Sequence, residues 1–396
     1  MIRAGLLLAL AGSAAALSTS AVAPKKVLLI GGTRFSGAYL WKELHDRGHE
    51  VTLYNRGKTK IVPVPGETPR DFEARVKGTR YLVGDRKNAN ELMEKVGSHS
   101  FDVCYDMNGR EAADTEPLVA ALGKGSPMLE HFVYMSSAGV YLKSEKMPHV
   151  EGDEVDYSSR HKGKLATEEM LAARGMPWTS IRPTYIYGAQ NYNPLEQYFF
   201  ERIHANRPVC VPGYGGHLTG LGHVKDLAVA MANVIGKPAA VGKVYNVQDD
   251  VAISFDGLVK ACAAAAGKDP ESVEIVHYDP KEFNFGNKKA FPLRPQHFWT
   301  DIEAARKDLD WEPTFDTVKG LKDAYENDFC IKVNEGSLPG DFECDDMILA
   351  AAGKAAPKAA AAAAPAAAAV AAAAPAEPVD PALAAQLSKL IDIVFE

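Results

Sequence analysis

The stretch from Val27 to Tyr54 restricts the fold of this chain more than any other. A short, wholly apolar run, Val27-Leu28-Leu29-Ile30, leads directly into Gly31-Gly32-Thr33-Arg34-Phe35-Ser36-Gly37; Tyr39, Leu40 and Leu44 then recur at helical spacing before Val51-Thr52-Leu53-Tyr54 starts a second strand-like run. Strand, tight turn, helix and strand make a βαβ unit, and glycines at this turn let the backbone approach a pyrophosphate resting on the helix N-terminus. Gly31, Gly32, Thr33, Arg34, Phe35 and Gly37 are therefore the expected cradle of a dinucleotide. Arg34 stands where a G-x-x-G-x-x-G turn has its middle glycine, so a bulky cation there either closes the phosphate site or adds charge-assisted contacts to it.

The alternation continues. Tyr81-Leu82-Val83, Val103-Cys104-Tyr105, Phe132-Val133-Tyr134-Met135 and Trp178-Thr179-Ser180-Ile181 read as buried strands, with helical segments at 91–96, 111–122 and 163–173. The expected class is α/β, a Rossmann-like doubly wound parallel sheet with sites at the carboxyl ends of its strands. Beyond Arg182 the periodicity loosens, with helices expected at 195–205, 224–235, 255–265 and 317–329; this region reads as a smaller C-terminal α/β substrate lobe. The resulting division is a presequence at 1–24, a dinucleotide-binding-like domain at 25–182, a partly intertwined substrate lobe at 183–349, an Ala/Pro linker at 350–379 and a docking helix at 380–396. At the end of the second strand, Asn55-Arg56 stands where an NAD enzyme offers a carboxylate to the ribose, which favours NADP; alternatively Arg56, Lys58 and Lys60 form only a solvated face. Asp85 and Arg86 follow the third strand, where Asp85 suits an adenine edge.

Charge narrows the partners. The 396 residues carry a formal net charge of −7, so no global basic field exists and any nucleic-acid site must be a local patch. Five scattered cysteines with no C-x-x-C pair point to free thiols in a reducing compartment. Met1-Ile2-Arg3, an apolar run from Leu6 to Leu17 and Ser18-Thr19-Ser20-Ala21-Val22-Ala23-Pro24 form a signal-type presequence too short for a stable membrane span. Plastid import through such a bipartite leader is one destination and the secretory pathway the alternative. At the other end, Leu383, Leu387, Leu390, Ile391 and Val394 share one helical face, either docking on a partner or folding back on the chain.

Met135-Ser136-Ser137-Ala138-Gly139-Val140-Tyr141 and Arg160-His161-Lys162-Gly163-Lys164 resemble the extended short-chain dehydrogenase/reductase superfamily, as do Arg182-Pro183-Thr184-Tyr185-Ile186-Tyr187-Gly188 and His223-Val224-Lys225-Asp226. The resemblance makes Ser137 and Lys164 remnants of a catalytic Ser/Tyr/Lys set, with Arg160 in the tyrosine's place. An arginine, with a pKa above about 12, is no general acid or base near neutral pH. Tyr157 lies nearly one helical turn off, and Thr219 replaces the arginine that epimerases and dehydratases place on a sugar diphosphate. Asn108-Gly109-Arg110-Glu111, Asn191-Tyr192-Asn193-Pro194, Ile275-Val276-His277-Tyr278, Lys288-Lys289-Ala290-Phe291-Pro292 and Gln296-His297-Phe298 carry a closer resemblance, to the chloroplast stem-loop-binding proteins of the b type, over about residues 25–349. That family implies stem-loop RNA binding, endoribonuclease activity dependent on a divalent cation such as Mg, association with ribosomes or transcription complexes, and self-association or pairing with homologues. Arg110, His161 and Lys162 are the RNA-contact candidates beside Arg34, Arg56 and Lys58, with Phe35, Tyr141, Tyr185 or Tyr187 available for base stacking, although at least half of these rings are expected to be buried core aromatics instead. Asp106, Asp153, Glu154 and Asp156 lie near the cleft by the fold but match no metal motif, so no metal residue is nominated. Two other readings stay open: an NADP-dependent oxidoreductase or nucleotide-sugar epimerase/dehydratase working without the tyrosine, and a noncatalytic scaffold whose tail recruits partners.

Overall fold

Alternate residues of each central strand enter opposite apolar cores. β1 (Lys26–Ile30) sends Val27 and Leu29 to one side and Leu28 and Ile30 to the other. β2 (Glu50–Asn55), β3 (Arg80–Val83), β4 (Val103–Asp106) and β5 (His131–Met135) follow, and β5 divides Val133 and Met135 from Phe132 and Tyr134 in the same way. A sheet that is apolar on both faces must be covered on both, which calls for parallel strands joined by crossover helices. The computed structural model describes residues 22–354; the expected docking helix and nearly all of the expected presequence and Ala/Pro linker lie outside them.

After β6 (Trp178–Pro183), β7 (Tyr185–Tyr187), β8 (Val209–Pro212), β9 (Leu218–Thr219) and β10 (Leu221–His223), β11 (Lys243–Val247) returns to the central sheet, whose order is β11-β6-β5-β4-β1-β2-β3. All its pairings are parallel. The strand order reverses between β1 and β4, and ligands of such sheets bind in the crevice outside the carboxyl ends at that switch point. β11 lies beyond residue 182, so the sheet of the first lobe is completed by chain from the second. In the second lobe β7 pairs with β10, β9 with β12 (Ile253–Ser254) and β8 with β13 (Ile275–Tyr278), around a core that includes Phe199, Phe200, Phe255, Phe291 and Phe329.

α1 (Ser36–Asp46) buries Tyr39, Leu40, Trp41 and Leu44, as its stripe predicts. α2 (Pro69–Lys77) has little apolar signal: only Phe72 and Val76 are apolar on its inner face, and the third buried residue is Arg75. The helix starts because Thr68 accepts a hydrogen bond from the Asp71 amide and Pro69 occupies the first helical position. α3 (Ala89–Lys95), α4 (Ala112–Gly125), α5 (Lys162–Ala173), α6 (Leu195–His204), α7 (Val224–Ala232) and α8 (Phe255–Ala265) fall where helical spacing places them. The helix expected at 317–329 becomes α-helical over Thr317–Ala324 and π-helical over Tyr325–Phe329. All five cysteines are free thiols, and among the described residues no helix is long and apolar enough to cross a membrane.

The segment between β2 and α2 runs beside the crevice and is fastened at two points, Glu67 and Pro63. Arg75, fully buried, donates to both carboxylate oxygens of Glu67 at 2.6 Å, and its guanidinium lies 4.0 Å from the Trp41 ring centroid. From the second lobe, Gln190 donates to the Pro63 carbonyl at 2.7 Å. Glu67→Ala would leave the guanidinium buried and unpaired, so it is expected to cost about 3–5 kcal/mol, read as a lowered urea midpoint.

Candidate functional site

At the end of β1 the chain turns through Gly31, whose φ is +85°. A Cβ on Gly37 would lie 2.1 Å from the Gly31 carbonyl oxygen, so the start of α1 packs on the turn through a glycine that admits no side chain. No side chain caps α1. The cleft above, about 520 Å³, is lined by Gly31, Thr33, Arg34, Asn55, Arg56, Lys58, Asp85, Arg86 and Arg110. Gly32 and Gly37 do not line this cleft: a Cβ on Gly32 would meet the Leu29 and Leu53 side chains and one on Gly37 the Gly31 backbone, while Phe35 lines a neighbouring cleft. Asn55 accepts the Gly57 amide at 2.8 Å. The turn, the uncapped helix start and the cations at the end of β2 fit a dinucleotide phosphate.

Arg86 is not free to meet a ligand. Its guanidinium donates to both oxygens of Asp106, at 2.6 and 2.8 Å, and also to Asn108 and the Asp114 carbonyl. Burial pushes the Asp106 carboxyl up, but Arg86, the Thr115 hydroxyl and the Gly109 amide outweigh it and hold it below the usual carboxylate range. Asp106 is thereby consumed inside the protein. Asp153 pairs with His149 at 3.1 Å and Asp156 binds the Ser158 amide and hydroxyl. Among the described residues no group of three or more His, Cys, Asp or Glu side chains is placed to hold a metal ion, so the divalent cation implied by the sequence resemblance finds no protein cradle there.

The second cleft, about 880 Å³, opens between the lobes at the carboxyl ends of β4, β5 and β6. Arg110, Arg160, Lys164, Lys289 and Arg294 line it, together with His161, and no Asp or Glu does. Among the described residues Arg110, Arg160, Lys289 and Arg294 make no ion pair. Lys164 donates to the carbonyls of Gly109 and Met135 at 2.7 and 2.6 Å, and burial pushes its ammonium down to about 8. Ser137 accepts the Gly139 amide at 3.1 Å. Arg160 donates from Nε to His161 Nε2 at 3.0 Å, and burial, then Arg294, Arg160 and Lys164, press the imidazole down to about 4. His161 is thus a neutral acceptor at neutral pH.

The fold separates the sequence candidates. Arg110 lines both clefts and His161 the second, but Lys162, exposed at the start of α5, lines neither. Tyr157 donates to Glu169 at 2.8 Å on the exposed surface and does not replace the missing tyrosine. Of the four proposed stacking rings, Tyr187 is fully buried, Tyr141 lies on His149 and binds Asn246, and Phe35 is buried; Tyr185 lines the cleft while its hydroxyl accepts the Arg294 amide. Sequence reasoning assigns no role to Lys289, Arg294 or the exposed Tyr192. The Lys288-Lys289 doublet is visible in the sequence, but only the fold separates Lys288, paired with Asp341 and Glu343, from Lys289 at the cleft.

Residues 27–247 match the NAD dependent epimerase/dehydratase family. Over 85% of its length the chain is 50% identical to the chloroplast stem-loop binding protein of 41 kDa b of Arabidopsis thaliana, covering 87% of that protein. The fold is similar to UDP-glucose 4-epimerase of Thermotoga maritima, with a TM-score of 0.61 and 18% identity over 78% of this chain and 99% of that one. It is also similar to UDP-glucuronic acid 4-epimerase of Bacillus cereus, solved in complex with UDP-glucuronic acid and NAD, with a TM-score of 0.58 and 17% identity over 76% of this chain and 98% of that one.

The folded imidazole of His161 titrates near 4 against an ordinary 6.5, so between those values the unfolded chain binds the extra proton. Stability linked to neutral His161 is complete above pH 6.5 and falls as the pH drops toward 4. His161→Asn is expected to flatten that part of the curve, measured as urea midpoints across the same window.

Proposed function

We propose that this chain, which belongs to the NAD dependent epimerase/dehydratase family and to its branch of chloroplast stem-loop binding proteins, works in the plastid as an RNA-binding protein that holds RNA phosphates in the cleft between its lobes. The observation that carries the reading is charge segregation: in a chain of net charge −7, the second cleft is walled by cations and by no carboxylate. Phosphate contacts dominate RNA affinity, and unpaired guanidinium groups are suited to them. Stem-loop preference is taken from the name of the Arabidopsis relative. Roles in RNA processing and stability, in ribosome or transcription complexes, and as an endoribonuclease are parts of the same reading. Orthodox hydride transfer is not, because the position that would move the proton holds Arg160 and Lys164 is bound to two backbone carbonyls.

A dinucleotide is the second ligand this reading admits, supported by the retained turn at Gly31 and Gly37. When bound, such a cofactor supplies hydride chemistry. The chain's own contribution is to seat a pyrophosphate on the turn and, through Arg56 and Lys58, a 2′-phosphate, which favours NADP over NAD.

Two measurements test these assignments. Combined Arg160→Ala and Arg294→Ala substitution is expected to weaken binding of a fluorescent stem-loop RNA at least tenfold and to lower the salt slope by about one for each phosphate left without its cation; Lys162→Ala, outside the cleft, should change neither. Equal affinity for all three proteins would overturn the RNA reading. Separately, Arg56→Asp should reduce NADPH affinity by about tenfold in titration calorimetry while leaving NADH affinity within about twofold, as expected when a charge-assisted phosphate interaction is removed.

A further inference from the structure

We infer that Tyr192 is a stacking platform for an unpaired nucleobase, an inference that rests on the RNA reading and names the part of the RNA that enters the cleft. Tyr192 lies between β7 and α6, lines both clefts and is 67% exposed. The other aromatic side chains that line these clefts are buried or half-buried. Its ring is held in place by its neighbours: the Arg34 guanidinium lies 4.5 Å from its centroid, and Phe35 meets it edge-on at 6.3 Å with an interplanar angle of 87°. The turn that carries it is pinned, with Asn191 donating to the Ile186 carbonyl at 3.1 Å and accepting the Asn193 amide at 2.9 Å.

A large aromatic ring held in solvent at the junction of two cation-lined clefts matches what single-stranded nucleic acid needs. Bases stack on an aromatic face without hydrogen-bond readout, and the phosphates on either side meet positive charge. Arg34 already covers one face, so a base laid on the open face completes a stack of guanidinium, phenol and base. Bases within a helical stem have both faces covered by their neighbours and cannot use the platform. The ligand class is therefore an unpaired loop or bulge nucleotide, bound with its flanking phosphates.

The test uses the full chain and a stem-loop RNA with 2-aminopurine in its loop. Wild-type protein should change the 2-aminopurine fluorescence on binding. Tyr192→Ala should abolish that change and weaken binding by about tenfold with an unaltered salt slope, and Tyr192→Phe should restore both. Wild-type affinity and an intact fluorescence change in Tyr192→Ala would overturn the inference while leaving the cationic cleft as the RNA site. So would weakened binding accompanied by a lower salt slope and an intact fluorescence change. Failure of the wild-type protein to bind the RNA would overturn the RNA reading and this inference with it.

Discussion

The carboxylate of Asp106, at the end of β4, accepts hydrogen bonds from the Arg86 guanidinium, the Thr115 hydroxyl and the amides of Asn108 and Gly109. Those bonds fix the loop after β4 so that the Gly109 carbonyl points to Tyr134 and Lys164, which donate to it at 2.9 and 2.7 Å. Lys164 then reaches the last carbonyl of β5. One buried network therefore joins the ends of β3, β4 and β5 to the first turn of α5, and both clefts lie on it. Each acceptor in it is matched to a donor, which is what makes so much buried charge tolerable.

Elsewhere acidic groups are placed to neutralise cations. Asp323 takes Lys225, Glu168 takes Arg182, and Asp345 takes Arg202. Against that pattern the unpaired cations of the second cleft are a concentration of like charge that the scaffold holds together. Burial is the main cause that holds Arg294 and Lys289 below their usual pKa, and repulsion from Arg160 adds to it. An anion entering the cleft would offset that like charge as well as make direct contacts.

How much is legible in the sequence follows from how locally each feature is encoded. The apolar runs of β1, β2, β4, β5 and β6 and the glycine turn are contiguous, and they stand out. α2 is hidden because its buried face includes Arg75, whose pairing with Glu67 depends on the preceding loop. β11 is hidden because Lys243 and Asn246 break its apolar run and its partner lies some sixty residues earlier. In the site, the neighbours in sequence of Gly31, Arg110 and His161 are enough to place them at the clefts. Arg86 does line the first cleft, but nothing local shows that Asp106 claims its guanidinium, and the expectation that at least half of Phe35, Tyr141, Tyr185 and Tyr187 are buried cannot be resolved ring by ring because an aromatic beside a motif says nothing of its own burial. Arg294, Lys289 and Tyr192 converge from distant segments, and only tertiary structure brings them together.

The return of β11 to pair with β6 also sets an order on biosynthesis. A nascent chain that has emerged through residue 183 carries six of the seven strands of the central sheet, with the outer edge of β6 unpaired until residues 243–247 arrive. Open parallel edges invite pairing with other chains. During translation the first lobe is thus a partly finished sheet waiting for the second, and the two lobes mature as one cooperative unit.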